Sequence, residues 1–262
     1  MDERRLIVDI SLLQGRNRVN ARFSILLGKA NILVLTGPSG CGKSTVLKAL
    51  CGFLRPESGH IQFGEALWFD STKKIHKPTL ERSTAYLPQT DVLLPSLSVR
   101  GNLEFAAGLA QKGWKSLFGG WLHDAQRSRE VENMMTIFGI GAFADAKVKN
   151  LSGGQARKVS LARLFFQNPG LLLLDEPLSG TDPSSRRELS SALAKFIRER
   201  SLPTIWVTHD PIEVDGIPSV GGHLQPIWDN NERIYSLDGT FPLPTPVSGR
   251  ESLIASAFRF DI

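Results

Sequence analysis

The run Asn31-Ile32-Leu33-Val34-Leu35-Thr36, followed at once by Gly37-Pro38-Ser39-Gly40-Cys41-Gly42-Lys43-Ser44-Thr45, decides the fold. A short apolar segment rich in branched side chains and closed by glycine reads as a buried strand. A helix is predicted from Lys43, because Val46, Leu47 and Leu50 recur at helical spacing until Gly52. Between them lies G-x-x-x-x-G-K-[ST], whose glycines let successive backbone N–H groups curl around phosphate oxygens while the helix terminus adds positive partial charge. Gly37, Pro38, Ser39, Gly40, Cys41, Gly42, Lys43, Ser44 and Thr45 are therefore candidate nucleotide-phosphate-binding residues. Lys43 would reach the β- and γ-phosphates, and Ser44 would ligate Mg2+.

Working outward, further strands are predicted around Thr84 to Leu87, at Leu171 to Leu174 and at Thr204 to Thr208. Strands alternating with helices imply an α/β fold whose sheet is largely parallel in its centre. Between Gln89 and Leu151 helical signals take over: Val131, Met134, Met135 and Phe138 recur at i, i+3, i+4 and i+7 and read as core, so this segment is expected to be an inserted helical subdomain. Asp182 followed by Pro183 has the form of an N-cap with proline at the first helical position, and Leu189, Leu193, Phe196 and Ile197 line one face of that helix. Beyond His209 the chain turns rich in glycine and proline, and Phe241 to Pro246 is expected to be loop.

Four leucines run into Asp175-Glu176, placing two carboxylates at the carboxyl end of a buried strand, on the crevice that the phosphate loop faces. Asp175 suits a Mg2+ shell, since this hard cation takes oxygen ligands, and Glu176 is left to polarise the attacking water. Leu151-Ser152-Gly153-Gly154-Gln155 introduces another helix with serine and glycines at its amino end, a second terminus suited to phosphate. It would serve a different nucleotide, either in the same chain or across a twofold dimer.

The phosphate loop, Leu151-Ser152-Gly153-Gly154-Gln155, Leu171-Leu172-Leu173-Leu174-Asp175-Glu176 and Thr208-His209-Asp210, in that order, resemble the ATP-binding-cassette (ABC) ATPases, from about residue 6 to about residue 215. The resemblance implies a P-loop (RecA-like) core with an antiparallel β subdomain and an inserted helical subdomain. As one ABC ATPase domain over 1–262, it would have a nucleotide-binding core at 1–89 and 152–240, a helical subdomain at 90–151 and a C-terminal tail at 241–262. It also implies roles. The nucleotide bound by Gly37 to Thr45 is ATP. Gln89 contacts Mg2+ and water and joins the core to the helical subdomain, and His209 contacts the γ-phosphate and helps hold catalytic Glu176. Ser152, Gly153, Gly154, Gln155 and Asp182 complete the opposing subunit's site. A permease would dock in a groove running from Gln89 into Asp91-Val92-Leu93-Leu94.

Two departures from the family pattern stand out. Adenine usually stacks on an aromatic residue upstream of the phosphate loop, but Gln14-Gly15-Arg16-Asn17-Arg18 offers none and Phe23 lies too close, leaving the guanidinium of Arg16 or Arg18 as the stacking surface. Thr181 stands where a leucine is common. Val99-Arg100-Gly101-Asn102-Leu103 with the phosphate loop is similar to ATPase subunits of bacterial molybdate importers, which implies a homodimer, membrane permease subunits and, indirectly, a substrate-binding protein. The expected location is the cytoplasmic face of the cell membrane, peripheral.

Composition is compatible with this. Of 262 residues 41% are hydrophobic, enough for a core without disulfides, and the net charge is +5 with no long single-sign block. Met1-Asp2-Glu3-Arg4-Arg5 is not followed by an apolar signal core, and no run approaches the ~18 apolar residues of a membrane span. Cys41 and Cys51 have no metal-ligand spacing and fit a reducing compartment, and a thiol reagent is expected to block nucleotide binding through Cys41. His60, His76, His123 and His223 are expected at the surface. Trp114, Phe118 and Trp121 among lysines and glycines suit either subdomain packing or a membrane-proximal contact. After His209 only residues 210–262 remain, so an added β-rich regulatory domain is not expected. A nucleic-acid or ribosome ATPase is the competing class, attractive for its basic pI of about 9.4 but without the tandem cassettes, coiled coils or zinc modules such proteins carry, so no nucleic acid partner is expected.

Overall fold

A computed structural model describes residues 4–15, 17–27, 32–112, 125–209, 219–223, 225–229, 232–238 and 241–242. The chain opens with a long hairpin, β1 (Arg4–Gln14) and β2 (Asn17–Leu27), then runs into β3 (Ile32–Thr36) and α1 (Lys43–Cys51). Three short strands follow, β4 (Ser58–Phe63), β5 (Ala66–Asp70) and β6 (Ile75–His76), and then β7 (Thr84–Leu87). The helices α2 (Val99–Lys112), α3 (Ala125–Ile137) and α4 (Gly153–Leu164) precede β8 (Leu171–Asp175), α5 (Pro183–Glu199) and β9 (Thr204–Val207). The described chain ends in β10 (Ser219–His223), β11 (Gln225–Asp229), β12 (Glu232–Asp238) and β13 (Phe241–Pro242).

Two sheets result. One has the order β13-β10-β3-β9-β8-β7, and its five strands from β10 to β7 are parallel. The other, β11-β12-β2-β1-β4-β5-β6, is antiparallel except where β12 joins β2 in parallel. The α/β class and the parallel centre are as expected from sequence. The C-terminal part differs: Gly221 and Gly222, which read as turn residues, lie in a strand paired with Val34 and Leu35, and Phe241–Pro242 pair with Gly221 and Val220 instead of forming loop. Pairing with an already formed sheet overrides the local preference of glycine and proline.

The parallel strands are apolar along their whole length because both faces are covered. Along β8, Leu171 and Leu173 pack with α1 and the second sheet, whereas Leu172 and Leu174 pack with the helices of the opposite layer. Val131, Met134, Met135 and Phe138 are buried in that helical layer, as their spacing predicts. Leu189, Leu193, Phe196 and Ile197 bury the inner face of α5. The far end of α1 is fixed by fully buried Arg82, whose Nη1 donates to the carbonyls of Ala49 and Leu50 at 2.6 and 3.0 Å. Those carbonyls carry the negative end of the helix dipole, so a guanidinium is well placed there.

The same arginine corrects one expectation. His76 is half-buried, its Nδ1 is 3.3 Å from Arg82 Nη2, and burial with the neighbouring guanidinium lowers its affinity for a proton. His60 is half-buried in β4. His123, Arg16, Trp114, Phe118 and Trp121 lie outside the described residues, as does the side chain of His223.

Candidate functional site

Four neighbouring parallel strands, β3, β9, β8 and β7, end on one edge of the sheet, and each is followed within a few residues by a predicted site residue: Gly37 to Thr45, His209, Glu176 and Gln89 respectively. The convergence follows from parallel pairing, which brings all carboxyl ends to the same side.

In the phosphate loop, Gly40 and Gly42 have φ of 77° and 99°. A Cβ on Gly42 would lie 2.6 Å from Val19 Cγ2, so the hairpin strand packs directly on the loop and only glycine fits. Gly42 is the N-cap of α1; no side chain caps that end and no acidic residue occupies the first turn. The terminus keeps its positive partial charge for an anion. Lys43 is nearly buried, and its Nζ donates to the carbonyls of Gly37 at 2.8 Å and Pro38 at 3.0 Å, so the ammonium lies across the mouth of the loop. The Cys41 side chain is wholly buried, with Sγ 3.8 Å from Lys43 Nζ, which corrects the expectation of direct attack by a thiol reagent: the loop has to open first.

Asp175 is 2% exposed. Ser44 Oγ donates to its Oδ1 at 3.0 Å and Tyr86 Oη to its Oδ2 at 3.1 Å. Burial pushes its carboxyl above the ordinary range, opposed by those two hydroxyls, and the Tyr86 phenol is pushed upward by burial and by Asp175. A buried carboxylate hydrogen-bonded to two neutral hydroxyls, with only the distant charge of Lys48 in its favour, can accept a cation. Its pairing with Ser44 makes an all-oxygen donor set at the mouth of the phosphate loop, which fits Mg2+.

Glu176 carries the central carboxylate. Its Oε1 is 2.6 Å from His209 Nε2, and its Oε2 accepts from Gln89 Nε2 at 3.0 Å. The two partners come from neighbouring strands, so they fix the direction of the carboxylate from opposite sides. The backbone of Glu176 has φ of 48°, a left-handed conformation costing about 1–2 kcal/mol for a residue with a side chain. Its N–H donates to Val207 O at 2.9 Å.

The Ser152–Gln155 terminus differs from that of α1. Ser152 caps α4 by accepting from Gln155 N–H at 3.3 Å, and Gln155 Oε1 accepts from Ser152 N–H at 3.0 Å, a reciprocal capping box. Ser152 and Gly153 are exposed, and a Cβ on Gly153 or Gly154 would approach Gly180 or Thr181, so the signature packs beside the loop that ends in Asp182. Thr181 is buried and donates to Leu178 O at 2.6 Å. Asp182 is the N-cap of α5; the Ser184 hydroxyl, donating to its Oδ1 at 2.5 Å, and the Ser185 and Ser184 N–H groups, donating at 3.0 and 3.1 Å, hold its carboxyl well below the usual range.

Of the two guanidiniums offered for stacking a base, Arg16 lies outside the described residues and Arg18 is engaged elsewhere; Phe23, set aside from sequence, is buried in the core. Arg18 Nη1 donates to Ser11 Oγ at 3.0 Å and pairs with Glu57 at 2.9 Å along the hairpin surface. Sequence reasoning missed Tyr86, Val19 and above all Arg157, whose signal was an arginine set in the buried stripe Arg157, Ser160, Leu161 and Leu164 of α4.

Comparison with known proteins places this arrangement. The family model described as ABC transporter matches residues 21–179. The chain belongs to the ABC transporter family. This ABC family member is 33% identical over 202 residues to the molybdenum import ATP-binding protein ModC of Brucella suis biovar 1, covering 77% of this chain and 53% of that protein. It is 37% identical over 187 residues to an Fe(3+) ions import ATP-binding protein, FbpC 2, of Haemophilus influenzae, covering 71% and 49%. The chain thus spans about half the length of the curated relatives it matches. Its fold is shared with a dimeric ATP-binding cassette in a post-hydrolysis state bound to ADP and Pi, with a TM-score of 0.69 at 20% identity over 92% of this chain and 99% of that one.

Proposed function

We propose that this chain is the ATP-hydrolysing subunit of an ABC importer, acting as a head-to-tail homodimer beneath separate permease subunits and supplied by a substrate-binding protein. The observation that carries the reading is the carboxylate of Glu176, held between His209 and Gln89 beside the Ser44–Asp175 pair and the phosphate loop. In hydrolysis, Glu176 takes a proton from water as its oxygen bonds to the γ-phosphorus, and the bond to the ADP oxygen breaks, giving ADP and Pi. Lys43 and the α1 terminus bind the phosphates; His209 and Gln89 orient Glu176 and the water. Mg2+, held by Ser44 and Asp175 with Gln89 nearby, would neutralise phosphate charge. The exposed face of Ser152, Gly153, Gly154 and Gln155, with Asp182, would meet the nucleotide of the second subunit, and the similar fold of a dimeric cassette supports that arrangement.

The division into a core of 1–89 and 152–240, a helical subdomain of 90–151 and a tail of 241–262 belongs to the same reading, except that Phe241 and Pro242 pair with β10 and so belong with the core sheet. The exposed side chain of Val92, next to half-buried Leu93 and Leu94, suits a permease contact at the cytoplasmic face of the membrane. Among the described residues no helix is long and apolar enough to cross a membrane. ModC is a molybdenum importer component and FbpC 2 an iron one, at similar identity, so both an oxyanion such as molybdate and iron are consistent with kinship; we favour the oxyanion. The import relatives do not favour the nucleic-acid alternative.

Light scattering of Glu176→Gln with MgATP and with MgADP, beside wild-type phosphate release, tests the reading. A dimer with MgATP only, without hydrolysis, is expected; undiminished hydrolysis by Glu176→Gln would overturn it.

A further inference from the structure

Arg157 is the most extensively bonded side chain near the site, yet neither phosphate binding nor the attack of water requires it. It is 1% exposed, and all five of its N–H groups have acceptors. Nε donates to Pro177 O at 2.8 Å, and Nη2 donates to Asp175 O at 3.0 Å and Glu176 O at 2.7 Å. Nη1 donates to Pro88 O at 2.8 Å and to Asp91 Oδ1 at 3.1 Å, with Gln89 O at 3.5 Å. One planar group thus grips three successive carbonyls at the end of β8 and the segment after β7. Those two segments carry Glu176 and Gln89, the groups that meet at 3.0 Å.

We propose that Arg157 is a positioning residue: it holds the backbone of Glu176 in its left-handed turn and ties it to the Pro88–Asp91 segment, so that displacement of that segment is delivered to the catalytic carboxylate. A φ of 48° at Glu176 is unfavourable for a residue with a side chain; beside the backbone bonds Glu176 N–H to Val207 O and Ser179 N–H to Glu176 O, Arg157 holds the carbonyl before, the one at and the one after that residue. The outer end of the link is reachable. Asp91 is half-buried, Val92 beside it is 68% exposed, and Arg163 of the same helix donates to Val92 O. A partner pressing on Val92 therefore moves a segment whose inner end is bonded to the guanidinium that holds Glu176. A lysine at 157 cannot serve, since an ammonium has three donors at one point and cannot span both segments.

The inference rests on the hydrolytic reading of Glu176, and the test separates the two. Arg157→Lys, Asp91→Asn and Glu176→Gln are compared in the full chain by MgATP affinity, by kcat and by hydrogen exchange of the peptides covering 88–92 and 175–178. For Arg157→Lys, kcat is expected to fall about 10–100-fold with affinity changed less than about 3-fold, the size of effect that misplacement of a catalytic group produces. Exchange should quicken in both peptides together while β3 and β9 stay protected. Unchanged kcat, or loss of kcat in proportion to affinity with exchange raised throughout the sheet, would overturn the proposal.

Should Arg157→Lys fail to fold, Asp91→Asn decides. It should quicken exchange at 175–178, which Asp91 does not touch, and lower kcat several-fold; protection there unchanged would overturn the link. If Glu176→Gln hydrolyses normally, the hydrolytic reading falls while coupled exchange still reports the clamp. If it is inert but Arg157→Lys retains wild-type kcat, only the clamp falls.

Discussion

Two helix N-termini in this chain are built with glycine and serine, and the chain treats them oppositely. That of α1 has Gly42 as its N-cap and no side-chain cap. That of α4 is closed by the reciprocal pair Ser152 and Gln155. The first keeps its unsatisfied N–H groups and adds Lys43, so it needs an anion to complete it. The second satisfies its inner donor from its own chain and leaves a capped, shaped surface. On the proposed function, the terminus assigned to phosphate in its own chain is the one left open, and the one assigned to a nucleotide across an interface is finished beforehand, so that it holds its shape while that nucleotide is absent.

The largest expected effect breaks the open terminus. Lys43→Ala removes its cation and should lower hydrolysis by at least about 10²–10³-fold, measured as phosphate release, with MgATP binding weakened in equilibrium dialysis. Ser152→Ala on the other side should leave single-subunit MgATP affinity unchanged; equal loss of affinity in both variants would erase the distinction.

Next in size, Asp175→Asn should lose most MgATP hydrolysis yet raise the thermal midpoint at neutral pH. The sign follows from burial, which raises the folded-state value above the ordinary 3.8, so the ionised form is disfavoured on folding. That penalty is fully present above the folded value and shrinks as pH falls through it toward 3.8, so the gap between wild type and variant should narrow in acid melts.

For Ser152→Ala the capping box predicts a modest stability loss, about 1 kcal/mol by urea unfolding. Asp182→Ala should have the smallest effect on stability, a slight lowering of the thermal midpoint. Its folded-state value is depressed, so its contribution is present above the ordinary carboxylate range and persists until strongly acid pH; a difference that vanished by pH 4 would contradict the cap geometry.

Legibility from sequence varied with how local the cause was. Ile32–Thr36 and α1 were readable because an apolar run, a glycine loop and helical spacing sit side by side. Asp182 was readable as a cap because the cap and the proline that follows it are adjacent. Strand β10 was not, since two glycines and no alternation give no local signal and its pairing partner, β3, lies far back in the chain. Arg18 illustrates the same limit: a guanidinium available on paper for a base is engaged by Glu57 and Ser11, which only the sheet register brings near.

By itself the sequence determined the chemical inventory, namely a phosphate loop, paired carboxylates at the end of a buried strand, a second helix opened by serine and glycines and the α/β class, because each is written in contiguous residues. Tertiary structure alone decided that Gln89 would meet Glu176 opposite His209, that Cys41 would be sealed in the core, and that Arg157 would bind the loops together. Those outcomes depend on the order β3-β9-β8-β7 across the sheet, and strand order is set by packing both faces of a twisted sheet at once, which no stretch of neighbouring residues encodes.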